Sequence, residues 1–135
     1  MQQGKNCKIW HPEKSVLLDF NMGDDCTVHA PVWIGNNVQI GHRCKIEALA
    51  FIPDGVTLGN DVFIGPHVCF TNDREPPSEL LEKTHVGNGA SIGAGAIIVC
   101  GITIGDGARI GAGSVVTKNV PPDALVYGVP ARVVS

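Results

Sequence analysis

Apolar residues recur at every sixth position along most of this chain, in two runs. Small or apolar residues usually follow four positions later, and glycine often follows directly, as in Ile34-Gly35 and Ile64-Gly65. Helices repeat about every 3.6 residues and amphipathic strands about every two, so neither gives this spacing. A hexapeptide repeat does, and it predicts short strands wound into a parallel β-helix. The repeated residues are Val16, Met22, Val28, Ile34, Ile40, Ile46, Ile52, Leu58, Ile64 and Phe70, then Val86, Ile92, Ile98, Ile104, Ile110 and Val116.

Three hexapeptides complete one triangular coil, so residues 18 positions apart are expected to stack in inward-facing columns. Glycine, asparagine and aspartate between the strands suit the tight corners because they tolerate positive φ. The expected columns are Val16 with Ile34, Ile52 and Phe70, Met22 with Ile40 and Leu58, and Val28 with Ile46 and Ile64.

The repeat is interrupted once, between Phe70 and Val86, which lie 16 residues apart. This interval equals one hexapeptide plus a ten-residue insertion, residues 76–85, and long loops on rigid scaffolds tend to carry binding or catalysis. Without the insertion, Val86 joins the column of Leu58, and Ile92 joins that of Ile64. We therefore expect one all-β domain over residues 1–135, with coils over 16–75 and 86–121 and a tail over 122–135 that covers the open edge.

Composition excludes several classes of function. The net charge is −3, so no basic field is present to attract nucleic acid or an anionic membrane. The apolar runs are far shorter than the roughly 20 residues of a membrane span, and the N-terminus lacks a signal-like apolar segment. The five cysteines form no CxxC pair, which favours reduced thiols and a cytoplasmic location.

Residues 92–118, followed by Asn119-Val-Pro-Pro-Asp123 and Tyr127-Gly-Val-Pro-Ala-Arg132, resemble the left-handed β-helix, or hexapeptide-repeat, acyltransferases. That resemblance implies a left-handed helix, acetyl-CoA as co-substrate, and a homotrimer with each active site between two neighbouring helices. The segment Cys69-Phe-Thr-Asn-Asp73 is similar to the branch that N-acetylates amino groups on nucleotide-linked deoxyamino sugars. We therefore expect an acetyl-CoA-dependent N-acetyltransferase acting on an amino sugar.

One corner of the later coils is expected to bind coenzyme A. Small residues there leave backbone amides and carbonyls open to an extended ligand such as the pantetheine arm, and in the family matching alanines face that arm. Two cations near the C-terminal end are expected to meet the coenzyme's phosphates. The predicted cofactor-binding residues are Ala94, Gly95, Ala112, Gly113, Lys118 and Arg132.

His67 lies one coil before Gly95, so a thioester held at the end of the groove would approach it. Its near-neutral titration suits removal of a proton from an amine, and a neutral ring could also donate to the oxyanion. Asn72 and Asp73, at the root of the insertion, are expected to orient the acceptor and hold its ammonium. Glu47 and His85 are candidate substrate contacts.

Three other functions stay open at this point. An O-acetyltransferase acting on a sugar or serine hydroxyl needs a firmer base, normally a histidine paired with a carboxylate. A zinc hydratase of the γ-carbonic-anhydrase kind needs three converging histidines, and the histidine spacing supplies no close pair, so no metal site is predicted. A non-catalytic scaffold trimer would not need the alanine and glycine corner.

Overall fold

The computed structural model describes residues 1–135, which form a three-sided parallel β-helix. Each side is a parallel sheet of short strands, and we call them the first, second and third face in the order the chain visits them. The first face contains β1 (Gln2–Gln3), β4 (Asn21–Met22), β7 (Gln39–Ile40), β10 (Thr57–Leu58), β13 (His85–Val86) and β16 (Thr103–Ile104). The second face contains β2 (Lys8–Ile9), β5 (Thr27–Val28), β8 (Lys45–Ile46), β11 (Phe63–Ile64), β14 (Ser91–Ile92), β17 (Arg109–Ile110), β19 (Leu125–Gly128) and β20 (Ala131–Val133). The third face contains β3 (Val16–Leu17), β6 (Trp33–Ile34), β9 (Phe51–Ile52), β12 (Cys69–Phe70), β15 (Ile97–Ile98) and β18 (Val115–Val116).

The strands of the repeating coils are two residues long because only one side chain of each points inward. Ile34, Ile46 and Ile52 are fully buried, and the residue before each of them faces out of the helix. Together with the small residues that precede the strands, these side chains form one core cluster of 31 residues. The sixfold period of the sequence is therefore the period of burial, as predicted.

The expected stacking is confirmed on both sides of the insertion. Below it, Ile46 pairs with Ile64, which is 18 residues later. Across it, Leu58 pairs with Val86 and Ile64 with Ile92, each 28 residues later, which is one coil plus ten residues. The insertion therefore leaves the column arrangement of the remaining coils unchanged.

The start of the helix differs from the prediction. Coils begin at β1 rather than at residue 16, with a short 3-10 helix at Pro12–Lys14 in the first coil. Val16 is not in the inner column: it faces outward, and Leu17 lies beneath Ile34 instead. Only five residues separate Leu17 from Met22, so this coil is one residue shorter than the others. The sixfold count extrapolated too far toward the N-terminus.

Side-chain acceptors hold the first corner, which joins the first face to the second. Lys5 N–H donates to Asp24 at 2.8 Å, and the Asp24 N–H donates to His42 Nδ1 at 2.7 Å. The ladder continues upward through Asn60, Asn88 and Asp106, each accepting an amide from one coil below at 2.8 Å. Asparagine and aspartate at corners therefore bind successive coils together, in addition to tolerating tight turns.

The C-terminal tail covers the open end of the helix, as expected for its edge. In the tail, β19 extends the second face by pairing in parallel with β17, and β20 turns back antiparallel to β19. No helix in the chain has the length and hydropathy to cross a membrane.

Thr84 is the one buried polar side-chain atom without a hydrogen-bond partner. The residue is 2 % exposed, and its hydroxyl occupies a core position between Val56 and Ile102. A buried hydroxyl without a partner loses its bonds to water and gains none in return. The insertion ends at this residue, so Thr84 is where the core pattern resumes imperfectly.

We predict that Thr84→Val raises the free energy of unfolding by about 1 kcal/mol, because it removes the unpaired hydroxyl with little change of shape. Chemical denaturation of both proteins measures the difference. The control is Thr103→Val on an exposed outward position of the first face, which should change stability little. A less stable Thr84→Val protein would show that the hydroxyl has a bonding role.

Candidate active site

The second corner, between the second and third faces, carries most of the predicted site. Its lower coils hold side chains with chemistry, namely His29, Glu47 and His67. Its upper coils hold only glycine and alanine on the surface, at residues 93–95 and 111–113. We call this upper stretch the glycine groove. A functional group at its lower end therefore meets a smooth backbone surface above it.

The glycine groove is open beside the backbone. Gly95 and Gly113 both have φ of +71°, and a Cβ built on either would meet no atom within 4 Å. Leucine is tolerated in the same column, since Leu49 has φ of 70°. The glycines are therefore not required by crowding within this chain, and the space in front of them is free for a ligand.

The polar groups of the groove differ in part from expectation. The amides of Gly95 and Gly113 are not open, because they donate at 2.9 Å to the carbonyls of Pro66 and Ala94 in the coil below. The amides of Ala94 and Ala112 and the carbonyls of Gly95 and Gly113 make no hydrogen bond within the chain. Exposed donors and acceptors thus recur once per coil, about 4.8 Å apart.

His67 sits at the lower end of the groove, exposed, with φ of 61°. Its amide donates to the Ala48 carbonyl at 3.2 Å, which holds the residue at the corner. Other histidines have a carboxylate nearby: His29 Nε2 is 3.8 Å from Glu47 Oε2, and His42 Nδ1 is 3.8 Å from Asp24 Oδ2. His67 is in no such pair within the protomer.

Asn72 and Asp73 lie at the third corner, which joins the third face to the first, where the insertion leaves the helix. Asp73 accepts two hydrogen bonds from Ser78, one from its amide and one from its hydroxyl, both at 2.6 Å. The Asn72 carbonyl accepts from Glu82 N–H at 2.8 Å, and its side chain makes no bond within the chain. Asp73 thus shapes the loop, while the Asn72 amide is available to a ligand.

An ion pair closes the insertion at its base. Arg74 Nε donates to Glu82 Oε2 at 2.9 Å, and Arg74 Nη2 donates to the Cys100 carbonyl at 2.6 Å. The Glu82 carboxylate raises the pKa of the Arg74 guanidinium. A side chain at Gly101 would overlap the Glu82 carboxylate, so the loop lies directly on the upper coil. The insertion is therefore a braced hairpin, with Leu80 exposed at its tip.

His85 is not in the loop, as was expected, but is the first residue of β13 and points out of the first face. Lys118 and Arg132 lie together, since both line one cavity of about 220 Å³ at the C-terminal end of the helix. Within one protomer, the predicted residues thus occupy the second corner, the third corner, the first face and the C-terminal end. No group of three or more histidine, cysteine, aspartate or glutamate side chains is placed to hold a metal ion.

The sequence analysis missed an apolar outer surface on the third face. Trp33 and Phe51 face outward with ring centroids 5.9 Å apart, and Val16 and Ile97 continue the stripe below and above. The outward residues of the first face are instead polar, including Gln39, Thr57 and His85. The signal was present one residue before every third repeated position, but only inward positions were counted.

Comparison with known proteins agrees with this architecture. The family described as "Bacterial transferase hexapeptide (six repeats)" matches residues 37–72 and 83–118, more than half of the chain. The galactoside O-acetyltransferase of Escherichia coli is 36% identical over 125 residues, covering 84% of this chain and 62% of the relative. The serine acetyltransferase of Buchnera aphidicola is 41% identical over 132 residues, covering 94% of this chain and 46% of the relative. The chain thus spans about half to three fifths of these relatives.

A solved galactoside acetyltransferase in complex with coenzyme A superposes with a TM-score of 0.78 at 32% identity, covering 87% of this chain and 64% of that one. The chain belongs to the bacterial hexapeptide-transferase family, whose left-handed parallel β-helix it shares. The fold and the family expected from the sequence are both confirmed.

Proposed function

We propose that this protein is an acetyl-CoA-dependent acetyltransferase that N-acetylates an amino sugar, most plausibly one linked to a nucleotide. The observation that carries the proposal is the glycine groove, which is open to solvent, ends at His67 and presents an unused donor and acceptor in successive coils. Pantetheine is an extended chain with two amides, so it can pair with the Ala94 and Ala112 amides and the Gly95 and Gly113 carbonyls. Relatives in the family are acetyltransferases, and the galactoside acetyltransferase was solved with coenzyme A.

The reaction needs few groups beyond orientation. The acceptor amine attacks the thioester carbonyl, the C–N bond forms, and the C–S bond breaks to release coenzyme A as a thiolate. Neutral His67 takes the proton that the nitrogen loses and returns it to the sulfur. Lys118 and Arg132, which share one cavity, supply positive charge for the coenzyme's phosphates.

The state of His67 favours an amine over a hydroxyl as acceptor. A hydroxyl is a weak nucleophile that usually needs a histidine oriented by a carboxylate, whereas a neutral amine attacks without prior deprotonation. His67 has no such carboxylate within the protomer, and the paired His29 and Glu47 lie lower on the same corner. The unpaired Asn72 side chain is suited to a sugar hydroxyl.

The second candidate is O-acetylation of a sugar or serine hydroxyl. It is favoured by the named activities of the galactoside and serine acetyltransferases and by the His29–Glu47 pair, whose side chains approach to 3.8 Å. In that case His29, rather than His67, would be the histidine oriented by a carboxylate. A scaffold without catalysis would leave the open groove and its unpaired backbone groups without a role.

We further propose that three protomers associate through the third face. Trp33, Phe51 and Ile97 are each about two fifths exposed there, and an apolar stripe on a single face is typical of a protein contact. The second and third corners are the two edges of this face. In a closed ring of three, the third corner of one protomer meets the second corner of the next, so Asn72 and the insertion of one subunit approach His67 of its neighbour.

All five cysteines are free, and Cys26, Cys44 and Cys100 are buried. Reduced thiols of this kind support the proposal that the protein works in the cytoplasm.

The activity is tested by measuring free thiol released from acetyl-CoA with dTDP- and UDP-linked amino sugars, simple sugars and serine as acceptors. We expect turnover on an amino sugar and a loss of about 10²–10⁴-fold in kcat for His67→Ala. His11→Ala, an exposed histidine of the first coil, is the matched control and should keep full activity. Activity only on hydroxyl acceptors, lost in His29→Ala but not in His67→Ala, would establish the second candidate. Absence of acetyl-CoA binding would refute both.

The assembly is tested by sedimentation equilibrium. We expect three times the 14.2 kDa of one chain for the wild type, and a single chain mass for Trp33→Glu, because a buried carboxylate in an apolar contact is costly. Phe63→Glu, an outward aromatic on the second face, should leave the trimer intact. A monomeric wild type, or a trimer that survives Trp33→Glu, would contradict the proposed contact.

A further inference from the structure

Tyr127 lies directly above the glycine groove. Because β17 pairs with β19 through Ile110 and Val126, Tyr127 follows Val126 as Gly111 follows Ile110. Its ring lies on the Cα of Gly111, where an added Cβ would overlap the ring atoms. The ring is nevertheless half exposed. The groove floor of glycine and alanine thus ends in one aromatic side chain with a free surface.

The backbone around Tyr127 is fixed on both sides. The next residue, Gly128, donates its amide to the buried Ser114 hydroxyl at 3.2 Å. Across the antiparallel β19–β20 pair, Tyr127 is the direct partner of Arg132. Directly opposed residues extend from the same side of such a pair, so an aromatic ring and a guanidinium are presented together.

The groove has the length of a pantetheine arm. From the coil of His67 to that of Tyr127 there are three coil steps of about 4.8 Å, or roughly 14 Å. The arm has about twelve bonds between its sulfur and the oxygen of its first phosphate, which corresponds to about 14 Å at ~3.5 Å for every three bonds. A thioester at His67 therefore puts the start of the nucleotide portion beside Tyr127 and Arg132.

We infer that Tyr127 is a binding residue for the adenine of coenzyme A, whose base stacks on the exposed face of the ring while Arg132 meets a neighbouring phosphate. This inference rests on the proposed function, since it takes the groove as the coenzyme site. A base stacks well on an aromatic face, and every nucleobase offers one.

Calorimetric titration of the full chain with coenzyme A and with 4′-phosphopantetheine, which lacks the adenosine portion, tests this inference. For Tyr127→Ala we expect the Kd for coenzyme A to rise about tenfold, as for the loss of one stacked base, and the Kd for 4′-phosphopantetheine to stay unchanged. Tyr127→Phe keeps the ring and should bind coenzyme A like the wild type. Trp10→Ala, which removes an exposed aromatic ring in the first coil, is the matched control.

Each other outcome overturns the inference in a distinguishable way. If the wild type binds coenzyme A and Tyr127→Ala binds it equally well, the ring is not a contact, although the proposed function stands. An equal loss of both ligands in Tyr127→Ala would show that the ring only supports the groove floor. A Tyr127→Phe protein as weak as Tyr127→Ala would exclude stacking. A wild type that binds neither ligand would refute the proposed function itself.

Discussion

Stacking of identical coils through parallel backbone hydrogen bonds is the constraint on which the rest of this structure depends. Each strand pairs in register with the strand one coil above and below, as Phe63 does with Lys45 and Ser91. Register turns sequence spacing into vertical columns, so that inward columns become the core and corner columns become surface strips along the helix. A change at one corner position therefore affects one defined level of one strip.

The glycine groove follows from this constraint. A corner residue must adopt positive φ, and the column meets this demand with Leu49 and His67 in the lower coils and with Gly95 and Gly113 above. The same backbone is thus covered by side chains below and bare above. Chemistry at the lower end and an extended binding surface above it need no change of fold, only a change of residue within one column.

Column arithmetic explains how much was predictable. The sixfold period predicted the core, the size of the insertion, and the shared corner of His67, Gly95 and Gly113. It failed at Val16, because a coil shortened by one residue cannot be detected by extending a count. It also could not predict that the Gly95 amide is used between coils, or that Asp73 bonds Ser78, since both depend on local orientation. The outward apolar stripe of Trp33 and Phe51 was visible in the sequence but lay outside the counted positions.

The central claim is that coenzyme A lies along the second corner, and two glycines offer a matched test. Gly95 and Gly89 have φ of +71° and +70°, and neither Cβ position has an atom closer than 4.0 Å, but Gly89 lies at the first corner. Leucine at either site carries a similar backbone cost, and Leu49 already adopts this conformation. The measurement is the Kd for coenzyme A by calorimetry: we predict at least a roughly tenfold weakening for Gly95→Leu, as expected for overpacking, and no change for Gly89→Leu. Unchanged binding by Gly95→Leu, with binding lost in Gly89→Leu, would place the coenzyme at another corner.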